Sequence, residues 1–317
     1  MQLTHDEKIL IDRMLGGDRS ALARLITYAE SRHDKLPEIL KSLGSRSGAS
    51  YIVGITGPPG AGKSTLTSRL TAQYRQSGKR IGVLAVDPSS PFTGGSILGD
   101  RIRMQEHSMD DGVFIRSISS RGTHGGISRA TKEIIKLYEA YGMDYIIVET
   151  VGVGQTELDI IVHSDTVVVV LVPEAGDTVQ TMKAGLMEIA DIFVVNKADR
   201  EGAALLSAEL KDTVSIRTGI NVWEIPVLMT SAVNDTGISE LMNSIENHRA
   251  FQIENDLLTD KRAKRREEEF SQIVQEFLER RISEKLGDGE CKTISDRVRS
   301  GELDPYEAAR QMIDKII

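Results

Sequence analysis

The sequence predicts an α/β protein in which a mostly parallel sheet is flanked by helices, with helical extensions at both ends. Short apolar runs alternate with helical patterns between residues 51 and 248, and a glycine-rich turn joins the first run to a helix. Before residue 44 and after residue 250, apolar residues recur only at helical spacing. We therefore expect an N-terminal helical extension (1–45), a central domain (46–250) and a C-terminal helical arm (251–317).

Composition indicates a folded protein of the cytoplasm. The 317 residues are 40% hydrophobic and 27% charged, which is ordinary for a soluble globular chain. The net charge of −8 argues against a general nucleic-acid or anionic-membrane partner, since both need a basic surface. The start, MQLTHDEKIL, lacks signal-peptide features, no apolar run is long enough to span a membrane, and the one cysteine, Cys291, cannot form an internal disulfide.

The N-terminal extension, Asp6 to Leu43, has apolar residues at helical spacing. Gly16, Gly17 and Asp18 interrupt the pattern, and Asp18 is a suitable N-cap for the second part. Residues 44–50 have the composition of a linker.

The most informative stretch begins at Tyr51, where an apolar strand pattern is followed by a turn and then, from Ser64 to Tyr74, by a helix. The turn fits the phosphate-loop pattern G-x-x-x-x-G-K-[ST], in which small residues let backbone N–H groups approach a phosphate closely. Lys63 would reach the β- and γ-phosphates from a surface cleft, and the Ser64 hydroxyl would bind Mg²⁺. The nucleotide-binding residues predicted here are Gly57, Pro58, Pro59, Gly60, Ala61, Gly62, Lys63, Ser64 and Thr65.

Strands and helices then alternate, which is typical of a parallel sheet covered on both faces. The predicted strands are Arg80 to Val86, Val113 to Ile118, Tyr145 to Val148, Thr166 to Val172, Ile192 to Val195, and one within Val222 to Leu228. The predicted helices are Ile127 to Tyr141, Ala203 to Thr218 and Ile238 to His248. Functional residues should lie at the carboxyl ends of the strands.

The base is indicated by Asn196-Lys197-Ala198-Asp199, which follows a buried strand and resembles the N-K-x-D guanine motif of GTPases. The Asp199 carboxylate would accept hydrogen bonds from the guanine N1–H and exocyclic amine, a pair of donors that adenine lacks. Ser231-Ala232, after the last strand, resembles the S-A motif whose backbone contacts the guanine oxygen. The expected ligands are therefore GTP and GDP.

Three acids are candidate ligands for Mg²⁺, which prefers oxygen and keeps several waters. Asp87 and Glu149 are each predicted to end a strand, and Asp100 lies in a Gly-rich connection. Glu149-Thr-Val-Gly152 stands where many GTPases have D-x-x-G, so that Glu149 would act largely through water and the Gly152 N–H could contact the γ-phosphate.

The C-terminal arm begins with a mixed charge run, KRAKRREEEF, that is best interpreted as a solvated helix face. An apolar stripe follows, formed by Phe270, Ile273, Val274, Phe277, Leu278 and Ile282. Asp304 and Pro305 are the cap and first residue of a final helix. The stripe offers more apolar surface than an isolated arm can bury, and we expect a homodimer.

Taken together, the motifs GPPGAGKST, DPSSPFTGGSILGDRIRM, SSRGTHGG, ETVGVGQTE, EAGDTVQTMKAG and NKAD resemble the MeaB/ArgK family. These metallochaperone-type P-loop GTPases serve adenosylcobalamin-dependent methylmalonyl-CoA mutase. The resemblance implies a first switch at Asp87 to Ile97 with Asp100, a second at Glu149 to Glu157, and a third at Glu174 to Lys183 that couples nucleotide state to the mutase. It also implies that the C-terminal helices dimerise.

The resemblance implies a GTPase whose catalytic residues are Lys63, Asp87, Glu149 and Lys183. The recognisable positions of the third switch are Gly176, Asp177, Gln180 and Lys183. Asp87, Gln155 and an arginine such as Arg103 remain alternatives for positioning the attacking water.

Two other functions compete with this interpretation. An ATP-using kinase of a LAO/AO transport system, an older label of the family, is disfavoured by the guanine motif. A GTPase that inserts a metal such as nickel usually carries His- or Cys-rich tracts, whereas this chain has six dispersed histidines and one cysteine. His124 fits a structural or switch contact better than a metal ligand.

Overall fold

The structure, a computed structural model, describes residues 3–44, 48–88, 105–107, 109–120, 126–150, 164–173, 188–215, 223–286 and 289–316. The chain forms two compact units, Met1–Asn255 and Asp256–Ile317.

The first unit is built on a sheet that, in the described residues, has seven strands, all paired in parallel. The strands are β1 (Tyr51–Thr56), β2 (Ile81–Pro88), β3 (Val113–Ser120), β4 (Tyr145–Thr150), β5 (Thr166–Leu171), β6 (Ile192–Val195) and β7 (Val227–Met229). Their order is β3-β2-β4-β1-β5-β6-β7, which places β1 at the centre between β4 and β5. The predicted fold class is confirmed.

The helices of the first unit connect these strands and precede them. They are α1 (His5–Leu15), α2 (Arg19–Ser31), α3 (Leu36–Ser42), α4 (Lys63–Gln76), α5 (Gly126–Tyr141), α6 (Ala203–Ser215) and α7 (Ile238–Glu254). Asp18 caps α2 as predicted, because its side chain accepts from Ser20 N and Ala21 N. Thr4 and Glu7 form a reciprocal capping box at the start of α1.

The N-terminal helices share one hydrophobic core with α5 and strands β2 to β4, to which Leu22, Leu25, Ile134 and Tyr138 contribute. A two-bond ion pair reinforces this packing: Arg116 on β3 donates from Nε to Glu30 on α2 at 2.6 Å and from Nη2 at 2.5 Å. The N-terminal helices are therefore an integral part of the first compact unit.

Helix α7 runs six residues beyond its predicted end at His248, through the predicted boundary at residue 250. Buried polar contacts explain the difference. Gln252 accepts from the Tyr51 hydroxyl and donates to the Asp165 carbonyl, and His248 Nδ1 lies 2.9 Å from Thr166 Oγ1. These residues pack against the sheet although they are polar, so hydrophobic periodicity did not register them. The division into three domains remains a prediction.

The second unit is helical, as expected. It contains α8 (Leu257–Leu286), α9 (Gly289–Arg299) and α10 (Pro305–Ile316). Asp304 caps α10 through bonds from Tyr306 N and Glu307 N to its Oδ1. The apolar stripe on α8 is exposed in the single chain, with Phe270 at 67% and Phe277 at 61%. In the part of the chain that the structure describes, no helix combines the length and apolar character needed to cross a membrane.

Candidate nucleotide site

The turn between β1 and α4 has the backbone geometry of a phosphate loop. Gly57, Gly60 and Gly62 have φ values of 148°, 76° and 84°, which L side chains rarely adopt. A Cβ on Gly57 would lie 2.0 Å from the carbonyl oxygen of Val170 on the neighbouring strand β5. Glycine is therefore required at this position both by the conformation and by the close approach of two backbones.

Lys63, the first residue of α4, is buried, with only 5% of its surface exposed. Its ammonium group donates to the carbonyl oxygens of Gly57 at 2.9 Å and Pro58 at 3.0 Å. The expectation that Lys63 projects at a surface cleft is wrong, because its side chain is buried against the carbonyl groups of the loop. This arrangement fixes a positive charge against the loop that would hold the phosphates.

Ser64 and Glu149 are brought together although they lie 85 positions apart in the chain, and the Ser64 hydroxyl donates to Glu149 Oε1 at 2.5 Å. Glu149 is 1% exposed and lies inside β4. Glu149 was predicted to end this strand, and β4 continues one residue further, to Thr150, which pairs with Val86 of β2. The hydroxyl and carboxylate form an oxygen-only donor set beside the phosphate loop, which fits a Mg²⁺ ion that keeps several waters.

The other predicted metal ligands are only partly described. Asp87 belongs to β2, in register with Ser119 of β3, which places its backbone near the carboxyl end of the sheet. Asp100 and Gly152 lie outside the described residues, as do Lys183 and the rest of the predicted third switch. Arg103, His124 and Gln155 also lie outside them.

Asn196 occupies the junction between the phosphate loop and the two predicted base loops. Its Nδ2 donates to the Ala61 carbonyl at 2.8 Å, and its Oδ1 accepts from Thr230 Oγ1 at 3.1 Å and from Ala232 N at 3.2 Å. The side chain is 2% exposed, so these bonds are shielded from water. One amide therefore joins three separate segments of the site.

Asp199 stands at the surface, on the predicted base loop after β6. Its Oδ1 accepts from the Ser231 hydroxyl at 2.6 Å, and this hydrogen bond is the largest cause that lowers the pKa of the Asp199 carboxyl below its ordinary value. The loop turns at Lys197, whose φ is 57°, and Ala198 N donates to the Thr230 carbonyl at 2.9 Å. The carboxylate is thus ionised and held by the neighbouring loop, in a position to accept hydrogen bonds.

Two residues of this arrangement were missed by the motifs. Thr230 binds Asn196, and Asn234 donates from Nδ2 to Ser231 Oγ at 3.0 Å. The hydroxyl of Thr230, directly before the Ser-Ala pair, could have suggested its role. Asn234 gave no such signal, because its contact depends on how the turn after β7 closes.

The parallel sheet, the glycine-rich loop and the buried lysine at the head of α4 define this chain as a P-loop NTPase. Residues 22–286 match the family described as methylmalonyl Co-A mutase-associated GTPase MeaB. The chain belongs to this family, and it is a GTPase that binds GTP and GDP.

Relatives match along nearly the whole chain. A Pyrococcus abyssi protein is 51% identical over 311 residues, covering 97% of this chain and 96% of that protein. The mouse protein named methylmalonic aciduria type A homolog, mitochondrial, is 34% identical over 330 residues, covering 97% of this chain and 80% of that protein. A crystal structure described as LAO/AO transport system kinase superposes with a TM-score of 0.71 at 27% identity, covering 100% of this chain and 99% of that one.

Proposed function

We propose that this GTPase is a chaperone, acting as a cytoplasmic homodimer, that couples its GTP state to cofactor loading or protection of an adenosylcobalamin-dependent methylmalonyl-CoA mutase. The family description and the name of the mouse relative both support a link to methylmalonyl-CoA metabolism. The observation that carries the nucleotide part is the Asn196 side chain, which joins the phosphate loop to the loops of Asp199 and Ser231. These hydrogen bonds hold the loop proposed for the phosphates next to the loops proposed for the base, so that one nucleotide can contact all of them.

In this proposal the phosphates bind over the loop from Gly57 to Thr65. Backbone N–H groups of the loop and the Lys63 ammonium, which now rests on two loop carbonyls, neutralise phosphate charge. Ser64 and Glu149, with Asp87 and Asp100, would hold Mg²⁺, which supplies further positive charge beside the γ-phosphate when bound. Gly152, which lies outside the described residues, would offer its N–H to the γ-phosphate.

Hydrolysis then depends on positioning one water, since the enzyme's main contributions to phosphoryl transfer are orientation and charge neutralisation. Asp87, Gln155 and Arg103 are the candidate positioning groups. Lys183 and the remainder of the third switch, Glu174 to Lys183, would carry the nucleotide state to the mutase.

The guanine assignment is tested by Asp199→Asn. The mutant should bind GTP and GDP about ten- to a hundredfold more weakly and gain affinity for the xanthine nucleotide, which offers an oxygen where guanine has an amine. Titration calorimetry with GDP and XDP measures both changes. A mutant that binds GDP as tightly as the wild type would overturn the assignment.

The chaperone function is tested by changing Asp177, Gln180 and Lys183 singly to alanine. Intrinsic GTPase, mutase-stimulated GTPase and GTP-dependent cofactor loading are then compared with the wild-type values. We expect coupling to be lost while GDP affinity stays near wild type, because a switch alters the balance between two arrangements without forming the nucleotide site. Unchanged coupling in all three mutants would remove this segment from the mechanism.

One observation favours a second function, that of a transport-system kinase: the crystal structure so described superposes over the whole chain. The two functions differ in nucleotide and product. A kinase would transfer the γ-phosphoryl group of ATP to a protein substrate, whereas the proposed chaperone hydrolyses GTP in preference to ATP and releases free phosphate.

A further inference from the structure

The turn after β7 folds the chain back on itself. Ser231 N donates to the Thr236 carbonyl and Thr236 N to the Ser231 carbonyl, both at 3.1 Å, and Asn234 N also donates to the Ser231 carbonyl. Asp235 takes the left-handed conformation, with φ of 56°, to complete the turn. This closure places the Asn234 side chain beside the Ser231 hydroxyl.

The hydrogen bonds at Ser231 have one consistent direction. An amide nitrogen can only donate, so the 3.0 Å contact makes Ser231 Oγ the acceptor of Asn234 Nδ2. An ionised carboxylate can only accept, so the single Ser231 proton is donated to Asp199 at 2.6 Å. The three side chains form a chain of two hydrogen bonds, in which Asn234 donates to Ser231 and Ser231 donates to Asp199.

Such a chain fixes the carboxylate more firmly than the serine alone could. Both Asn234 and Asp199 are exposed, and an exposed aspartate that lacks a partner is free to rotate. The hydrogen bond from Asn234 favours the rotamer of the Ser231 hydroxyl in which its proton points at Asp199. A hydroxyl that accepts one hydrogen bond also becomes a stronger donor in the next.

We propose that Asn234 is a positioning residue for base specificity: acting through Ser231, it holds the Asp199 carboxylate in the orientation that recognises the guanine exocyclic amine. The inference rests on the proposed guanine site. It predicts a change in discrimination between bases, whereas a residue that only shapes the turn would change overall affinity or stability.

The experiment measures dissociation constants for GDP and for IDP, whose hypoxanthine base lacks the exocyclic amine. In Asn234→Ala the preference for GDP over IDP should fall about three- to tenfold, the range expected for one exposed hydrogen bond. In Asn234→Asp it should fall further, because a carboxylate accepts the Ser231 proton and repels Asp199. Aspartate suits turns as well as asparagine does. If Asn234 only shaped the turn, Asn234→Asp should therefore keep the wild-type preference for GDP over IDP.

Asp235→Asn is the matched control, since it alters the next residue of the same turn and keeps a side chain that tolerates the left-handed conformation. It should retain the wild-type ratio, and all variants are compared by thermal melting. Wild-type GDP:IDP ratios in both Asn234 variants would overturn the inference while leaving the guanine site standing, provided that Asp199→Asn shifts preference to xanthine. If Asp199→Asn keeps its preference for GDP, the guanine site is wrong and the role of Asn234 fails with it.

Discussion

Burial of Lys63 determines what its replacement should do. Lys63→Ala removes the ammonium that lies on the carbonyls of Gly57 and Pro58, and with it the positive charge expected to neutralise the γ-phosphate. We predict that GTP turnover falls at least about a hundredfold while the circular dichroism spectrum stays that of a folded protein. Phosphate release under saturating GTP measures the effect.

Lys79→Ala is the control for loss of a lysine, because Lys79 is exposed just beyond the opposite end of α4. It should hydrolyse GTP at the wild-type rate. Normal turnover in a well-folded Lys63→Ala protein would contradict the role assigned to Lys63.

The role of a single residue could be predicted from the sequence when that residue acts within a contiguous motif. Ser64, Asn196 and Asp199 were found because each sits in a short pattern whose chemistry is local. The burial of Lys63 was not foreseen, since it depends on carbonyls that point inward from the loop. Asn234 was missed because a contact between side chains in a turn leaves no periodic trace in the sequence.

Among the helices and strands, the attachment of α2 to β3 gives a prediction about stability. Arg116 and Glu30 form two charge-assisted hydrogen bonds, and both side chains are only 28% exposed. Replacing Arg116 with methionine keeps much of the apolar contact but leaves Glu30 half-buried without its partner. We expect the free energy of unfolding to fall by about 1–3 kcal/mol.

Arg13→Ala provides the comparison. Arg13 also donates two hydrogen bonds to its partner, both of them to Asp18 Oδ2, but its side chain is 56% exposed. Solvent screening should make this loss small. Urea unfolding of both variants tests the difference, and equal destabilisation would show that burial does not set the strength of the Arg116 pair.

Helices and strands with regular apolar patterns were predicted closely, and β6 and the start of α10 agree with the structure. The ends of β4 and α7 were not predicted closely, because they depend on polar contacts and backbone pairing and not on an apolar pattern. Strand β4 extends one residue beyond Glu149, to Thr150, because backbone pairing with β2 continues there. Helix α7 extends through Gln252 because the amide finds partners on β1 and before β5.

For the whole molecule, the exposed stripe on α8 predicts that two copies associate. Phe270→Asp combined with Phe277→Asp would place two charges on this stripe, and we expect the full-length protein to become a monomer in light scattering. These substitutions in the 317-residue chain test the interface better than removing the C-terminal arm near its predicted boundary, because a cut before His248 would remove His248 and Gln252 from the sheet. Any shortened chain should end after Asn255, where the first compact unit ends.

Leu205→Asp is the matched control. Leu205 is as exposed as Phe270, at 67%, but it lies on α6 in the first unit. It should leave the oligomeric state unchanged. A dimer that survives both aspartates on α8 would place the interface elsewhere. The apolar stripe itself was evident from the sequence, but its partner was not, because a periodic pattern indicates that a face needs cover without indicating what covers it.

The Asn196 junction has a thermodynamic consequence for ligands smaller than a nucleotide. Its amide restrains the phosphate loop and the base loops together, so a fragment that orders one side reduces the entropy that the other side must still lose. We therefore expect guanosine to bind more tightly when pyrophosphate is present than when it is absent, and pyrophosphate to bind more tightly when guanosine is present, although no covalent bond joins the two. By reciprocity, the gain in affinity must be the same factor for both fragments.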